Sequence, residues 1–182
     1  MLDDAVHAWF QAHHTAWATS AMLFTSEVHS TIGLLVIVAL LATLLVVLRQ
    51  RPWLPLLVVG VPGAMLLNVG IKHAVHRARP FVDHPIVQLH TYSFPSGHAA
   101  GSAALYTFVA IWLCWHFRET SPVHRGAVVA VCIVMTLWVC VARVYLGVHF
   151  LSDVSAGVMV GMGWVLAVRA LLRRHGRTPS TA

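Results

Sequence analysis

Three short segments of this sequence combine residue types that suit chemistry on a phosphate group: Lys72-His73-Ala74-Val75-His76-Arg77-Ala78-Arg79-Pro80, Phe94-Pro95-Ser96-Gly97-His98, and Arg143-Val144-Tyr145-Leu146-Gly147-Val148-His149-Phe150-Leu151-Ser152-Asp153. His149 and Asp153 are four apart, so at a helix start they share a face. The carboxylate can then accept a hydrogen bond from one ring nitrogen, fixing the tautomer and freeing the other nitrogen to attack phosphorus. His98 is placed to protonate a departing oxygen and later to activate water against a phosphohistidine. Lys72, Arg79 and Arg143 supply fixed positive charge and donors for phosphate oxygens. Ser96 and Gly97 open a helix, where free backbone N–H groups favour an anion and a missing side chain permits close approach.

Each segment alone has a plainer reading. An isolated His-x-x-x-Asp is usually a local pair or a helix cap. Pro95-Ser96-Gly97 is an ordinary turn and helix start. A cluster such as Lys72 to Arg79 reads as an anchor for lipid headgroups, and Arg77 is assigned that part. The thirteen histidines invite a metal, but neither His73 with His76 nor His84 with His90 has a zinc-ligand spacing, so no metal or other cofactor is expected. His13 and His14 read as interfacial polar residues.

The elements that hold these segments are read from hydropathy. The chain is 58% hydrophobic and 10% charged, with a mean hydropathy of +0.76, so most of it must face something other than water. A bilayer needs roughly 20 mostly apolar helical residues. Five stretches qualify: 30–48, 53–71 (interrupted by Pro55 and Pro62), 99–117, 126–142 and about 150–170. The last carries Gly157, Gly161 and Gly163, as helices that pack closely do. Residues 1–29 read as an amphipathic helix lying in the interface, although a sixth crossing stays open. The expected fold is thus all-α, a polytopic bundle of about five spans in a single domain over 1–182, with a tail from 173. Cys114, Cys132 and Cys140 sit in apolar runs and form no disulfide framework. The Met-Leu-Asp-Asp start carries acid where a secretion signal carries Lys or Arg, so insertion is expected to rely on the internal spans.

With five spans, Arg49, Arg51, Arg118, Arg125, Arg169, Arg173, Arg174 and Arg177 fall on one side, and only Lys72, Arg77, Arg79 and Arg143 on the other. The first side is cytoplasmic by the positive-inside rule. The net charge of +6 is thereby explained without nucleic acid, since the basic residues form no continuous patch. All three segments then emerge at the outer face. Glu27 and His29 lie at that same end of the first span and are candidates for lining a substrate entrance.

Taken in order, the segments resemble the signature of the type-2 phosphatidic-acid phosphatase family: Lys, six residues, Arg-Pro; Pro-Ser-Gly-His; Ser-Arg, five residues, His, three residues, Asp. Lys72, Arg79, Pro80, Pro95, Ser96, Gly97, His98, Arg143, His149 and Asp153 keep every internal spacing. Ala142 stands where the family often has Ser, which removes a possible hydroxyl contact to phosphate. The resemblance implies a metal-independent membrane phosphohydrolase with His149 as nucleophile, His98 as acid and base, and Asp153 as orienter. Lys72, Arg79, Ser96, Gly97, His98 and Arg143 would surround the phosphate. It further implies a lipid phosphate or diphosphate substrate at the extracytoplasmic face of a bacterial cell membrane, with undecaprenyl diphosphate favoured. Phosphatidylglycerol phosphate, phosphatidic acid, and transfer to a lipid acceptor are the alternatives. A transporter with a relic anion site is the non-enzymatic competitor; it fits poorly, because transporter charges gather near the bilayer midplane. The oligomeric state is not indicated.

Overall fold

In the computed structural model, which describes residues 2–82, 85–89 and 91–175, the described residues form seven α-helices. They are α1 (Leu2–Ala12), α2 (Ala16–Val28), α3 (Thr31–Val47), α4 (Leu54–Val75), α5 (Gly97–His116), α6 (Pro122–Tyr145) and α7 (Leu151–Arg174), with a 3-10 turn at Arg51–Trp53 before α4. Arg177 and the tail beyond His175 lie outside the described residues. Local chemistry sets most starts. Thr15, Ser30 and Ser96 are N-caps whose side chains accept from Ala18 N, Gly33 N and Ala99 N, and Pro122 opens α6 where its missing N–H costs nothing. α4 ends at His76, which takes the left-handed conformation (φ 54°).

All five expected spans are helices, and four of them (with the 3-10 turn counted into α4) are long and apolar enough to cross a bilayer. The fifth, α3, reaches that length only together with α2, to which it is joined at a 58° bend. Residues 1–29 therefore differ from expectation: they form two helices, broken at His13-His14-Thr15, and not one. Val6 and Phe10 of α1 pack on Cys140, Val144 and Val154, so α1 lies across one end of α6 and α7. Outward faces are apolar, as at Leu40, Leu66, Val131 and Val134, which fits hydrocarbon and not water.

α5 is the central helix, in contact with α3, α4, α6 and α7. It can be central because the run from Ala99 to Ala104 holds only Ala, Gly and Ser, all buried, which lets neighbouring backbones approach. Glycines on α7 complete the fit. A Cβ at Gly157 would stand 2.6 Å from Ser96 O, and one at Gly161 would stand 2.1 Å from Ala100 O. Gly163, grouped with them on sequence, meets nothing within 4 Å and has no such role. Pro62 inside α4 leaves the helix ladder incomplete, and nearby the Val59 carbonyl accepts from Trp164 Nε1 at 3.0 Å. Helix direction alternates from α3 to α7. The C-terminus of α4, the start of α5, the C-terminus of α6 and the start of α7 consequently share one end of the bundle, where α1 and α2 also lie.

Candidate functional site

At that end the three segments meet. The Gly157 contact presses α7 against the start of α5, and Ser96 N donates to Asp153 O at 3.0 Å, which ties the second segment directly to the third. The first segment is fastened by its cations. Arg79 donates from Nε to Thr91 O (2.8 Å), from Nη2 to Thr91 Oγ1 (2.9 Å), and from Nη1 to Val148 O (2.6 Å). Lys72 Nζ donates to the Tyr92 carbonyl. These bonds hold the loop after α4 against the turn that carries His149.

His149 is 2% exposed and sits between two differently charged walls. Nδ1 faces Asp153 Oδ2 at 3.5 Å, longer than an ordinary hydrogen bond, and Nε2 lies 3.4 Å from Arg79 Nη1. Burial pushes the imidazole down to about 4, with Arg143 and Arg79 adding to the effect and Asp153 opposing it. The ring is therefore neutral at pH 7, and its Nε2 lone pair is directed toward the cations.

Asp153 is fully buried and heavily bonded. Oδ2 accepts from Phe150 N at 2.9 Å and from the Ser93 hydroxyl, while Oδ1 accepts from Arg77 Nη1 at 2.7 Å. Arg77 also donates to Ser152 Oγ (2.7 Å) and to Asp3 Oδ2 (3.0 Å), and its guanidinium lies 4.4 Å from the centre of the Phe150 ring. This corrects the assignment of Arg77 to lipid headgroups, because it points inward and braces the carboxylate behind His149. Asp3 in turn accepts from Ser152 N at 2.9 Å and from the Ser152 hydroxyl. Burial would raise the Asp3 carboxyl, but Ser152 and Arg77 outweigh it and hold it below the usual range.

On the opposite wall, Arg143 is 1% exposed. Its Nη1 donates to the Ser26 hydroxyl, and among the described residues its Nε has no partner. His98 Nε2 lies 3.1 Å from the Ser26 carbonyl. To hand a proton to a substrate, His98 must leave that carbonyl or use its other nitrogen. A cavity of about 510 Å³ joins these groups: Lys72, Arg79, Gly97, His98, Arg143 and His149 line one end, while Leu34, Leu35, Met65, Leu66 and Val69 from α3 and α4 line the other.

His29 also lines this cavity. It is buried, with Nδ1 on Thr25 O and Nε2 on the Tyr106 hydroxyl, both at 2.9 Å. Glu27 is exposed and is not among the lining residues, so the structure separates this pair. Ala142 packs with Met22, Tyr145 and Leu146 away from the cavity. His73 and His76 lie edge-on to the Tyr92 ring, and His84 and His90 fall outside the described residues. No three metal-ligating side chains gather among the described residues. Sequence reading missed Ser26, Ser93 and Asp3, which touch the site only through tertiary packing, and gave no role to Ser152, whose place beside Asp153 was visible but whose bonds to Arg77 and Asp3 were not.

Comparison with known proteins gives the family. Residues 51–177 match the model of the PAP2 superfamily. Phosphatidylglycerophosphatase B of Bacillus subtilis is 37% identical over 62% of the chain, and the match spans 55% of that relative, about half its length. The Escherichia coli protein named "Putative undecaprenyl-diphosphatase YbjG" is 28% identical over 88% of the chain and 76% of its own length. The crystal structure of a transmembrane PAP2 type phosphatidylglycerolphosphate phosphatase from Bacillus subtilis superposes with a TM-score of 0.84 at 28% identity, covering 94% of this chain and 85% of that one. With its bundle of apolar helices and the matched segments gathered at one end, the chain is a multi-span membrane protein that belongs to the PAP2 superfamily.

Proposed function

We propose that this protein is a lipid phosphatase in which His149 Nε2 takes the terminal phosphoryl group of a membrane lipid and passes it to water. One observation carries the proposal: a buried imidazole lies against the Arg79 guanidinium and shares with Arg143, whose Nε has no partner among the described residues, the polar end of a cavity whose other end is apolar. In the first step the Nε2 lone pair forms a bond to phosphorus. The bond from phosphorus to the lipid oxygen breaks, and that oxygen takes the electron pair and a proton from His98. Nδ1–H then faces Asp153, which balances the positive phosphoimidazole. In the second step water attacks phosphorus and gives a proton to His98. The P–N bond breaks, His149 is restored, and inorganic phosphate leaves. Lys72, Arg79 and Arg143 hold the equatorial oxygens in both steps, together with the backbone N–H of Gly97; the Ser96 N–H is taken by Asp153 O and does not reach the phosphate.

The leaflet and substrate follow from the same features. Of the eleven described basic residues, Arg49, Arg51, Arg118, Arg125, Arg169, Arg173 and Arg174 lie on the side away from the site, which supports an extracytoplasmic site in a bacterial cell membrane. Phosphatidylglycerol phosphate is the favoured substrate, because the solved relative of that name covers nearly the whole chain. Undecaprenyl diphosphate, expected from the sequence, is the second reading, supported by the relative that aligns over 88% of this chain. Phosphate release from both lipids and from phosphatidic acid, measured in detergent with EDTA, ranks the substrates. Native protein is expected to release phosphate, and His149→Ala is expected to release none. Equal release by the two proteins would sink the proposal.

A further inference from the structure

A second concentration of positive charge lies at the far end of the bundle, remote from the catalytic segments. Arg118 follows α5, Arg125 is in the first turn of α6, and Arg169 is on α7, more than a turn inside its end. Together they line one cavity of about 260 Å³. Arg118 is steadied by the Trp115 ring, 4.7 Å from its guanidinium carbon, and by the Trp115 carbonyl at 3.3 Å. Its acidic neighbour Glu119, at 3.3 Å, is 84% exposed and offers a weak surface pairing. Among the described residues, Arg125 and Arg169 have no acidic partner. Three half-buried or surface guanidiniums from successive helices converge on one space with little to neutralise them.

That space does not end at the charges. Ala110, Ile111 and Val129 line it and also line an adjoining apolar groove of about 290 Å³, which runs along α5 and α6 to Val158 and Met162 of α7. A cationic mouth beside an apolar groove fits a ligand with an anionic head and a hydrocarbon chain. Inorganic phosphate would satisfy the charges and leave the groove unused, and a zwitterionic lipid would bring its own cation to three others. We propose that this is a binding site for one anionic phospholipid of the leaflet opposite the catalytic end. Its phosphate sits among Arg118, Arg125 and Arg169, with one chain in the groove.

The test uses the full chain, with phosphatidylglycerol and phosphatidylcholine of identical chains as probes. Phosphatidylglycerol is a phosphodiester with no terminal phosphate to lose, so turnover does not remove it. By native mass spectrometry the native protein is expected to retain one phosphatidylglycerol that Arg125→Gln/Arg169→Gln releases, with an apparent affinity about 10-fold weaker in the variant. Phosphatidylcholine is expected to bind both weakly and alike, and phosphate release in detergent is expected to be unchanged. Brominated-chain lipid locates the site in the native fold, as the quenching lost when Trp115 is replaced by Phe. Equal quenching by the two lipids, equal retention by native and variant protein, or displacement of the lipid by millimolar inorganic phosphate would each overturn the proposal.

Discussion

Replacing Arg77 by Gln separates two accounts of the same cation. Arg77 reaches Asp153 at 2.7 Å and Asp3 at 3.0 Å, and its side chain is 33% exposed while that of Asp153 is fully buried. Breaking a buried pair costs about 3–5 kcal/mol and breaking an exposed one less than about 1 kcal/mol, so this half-sealed pair is worth about 2 kcal/mol. Two effects then compete at His149. Without Arg77 the carboxylate is a stronger counter-charge for the proposed phosphoimidazole, which favours the reaction. It is also less constrained, and its contact with Nδ1 at 3.5 Å is already at the edge of reach. Orientation wins, because drift of a fraction of an ångström removes the contact. In a detergent assay with a short-chain lipid phosphate, kcat is expected to fall about 30-fold, the rate equivalent of about 2 kcal/mol, with KM little changed. Arg77→Lys should recover part of the rate. A raised KM with unchanged kcat would refute this reasoning and return Arg77 to headgroup binding.

Ser26→Ala removes the partner of Arg143 Nη1 but keeps the carbonyl near His98, so kcat/KM is expected to fall about 10-fold, from about 1–3 kcal/mol for a buried donor left unpaired. Gly161→Ala forces a Cβ toward Ala100 O, an overpacking cost of about 1–3 kcal/mol that should lower the melting temperature in detergent by roughly 3–10 °C, whereas Gly163→Ala should leave it unchanged. His149 has a folded pKa of about 4, below the ordinary 6.5, so the unfolded chain takes up its proton first. The stabilisation is complete above pH 6.5 and is lost as pH falls to 4, on the order of 3 kcal/mol, and thermal melts of His149→Gln should show a shallower loss over that window than native protein.

What could be read from the sequence follows from how far each interaction reaches along the chain. His149 and Asp153 are legible because one helical turn joins them, and hydropathy places the spans because lipid demands it. Even so, α6 continues past the apolar run through Arg143. Protein surrounds its last turn, and a buried guanidinium with a hydroxyl partner is tolerated there. Arg77 was visible and its partners were not: Asp153 is 76 residues away and Asp3 is 74. Ser26 and Ser93 carry no local signal at all. The break between α1 and α2 did have one, since Thr15 is an N-cap, but a continuous apolar spacing over residues 1–29 concealed it.

The site sorts its charges into two groups, with His149, the proposed nucleophile, between them. Behind His149, Arg77 is shared by Asp153 and Asp3, so that side is balanced or slightly negative. In front, Lys72, Arg79 and Arg143 line the cavity with no carboxylate among the described lining residues. Burial is the main reason the ring stays neutral, and Arg143 and Arg79 add to it. A bound phosphate supplies the negative charge the front wall lacks. It thereby offsets the part of the depression that Arg143 and Arg79 cause, leaving the larger effect of burial, so in the proposed reaction His149 is more basic when the phosphate is in place. Water entering the same cavity brings no such charge and so does not offset the two guanidiniums.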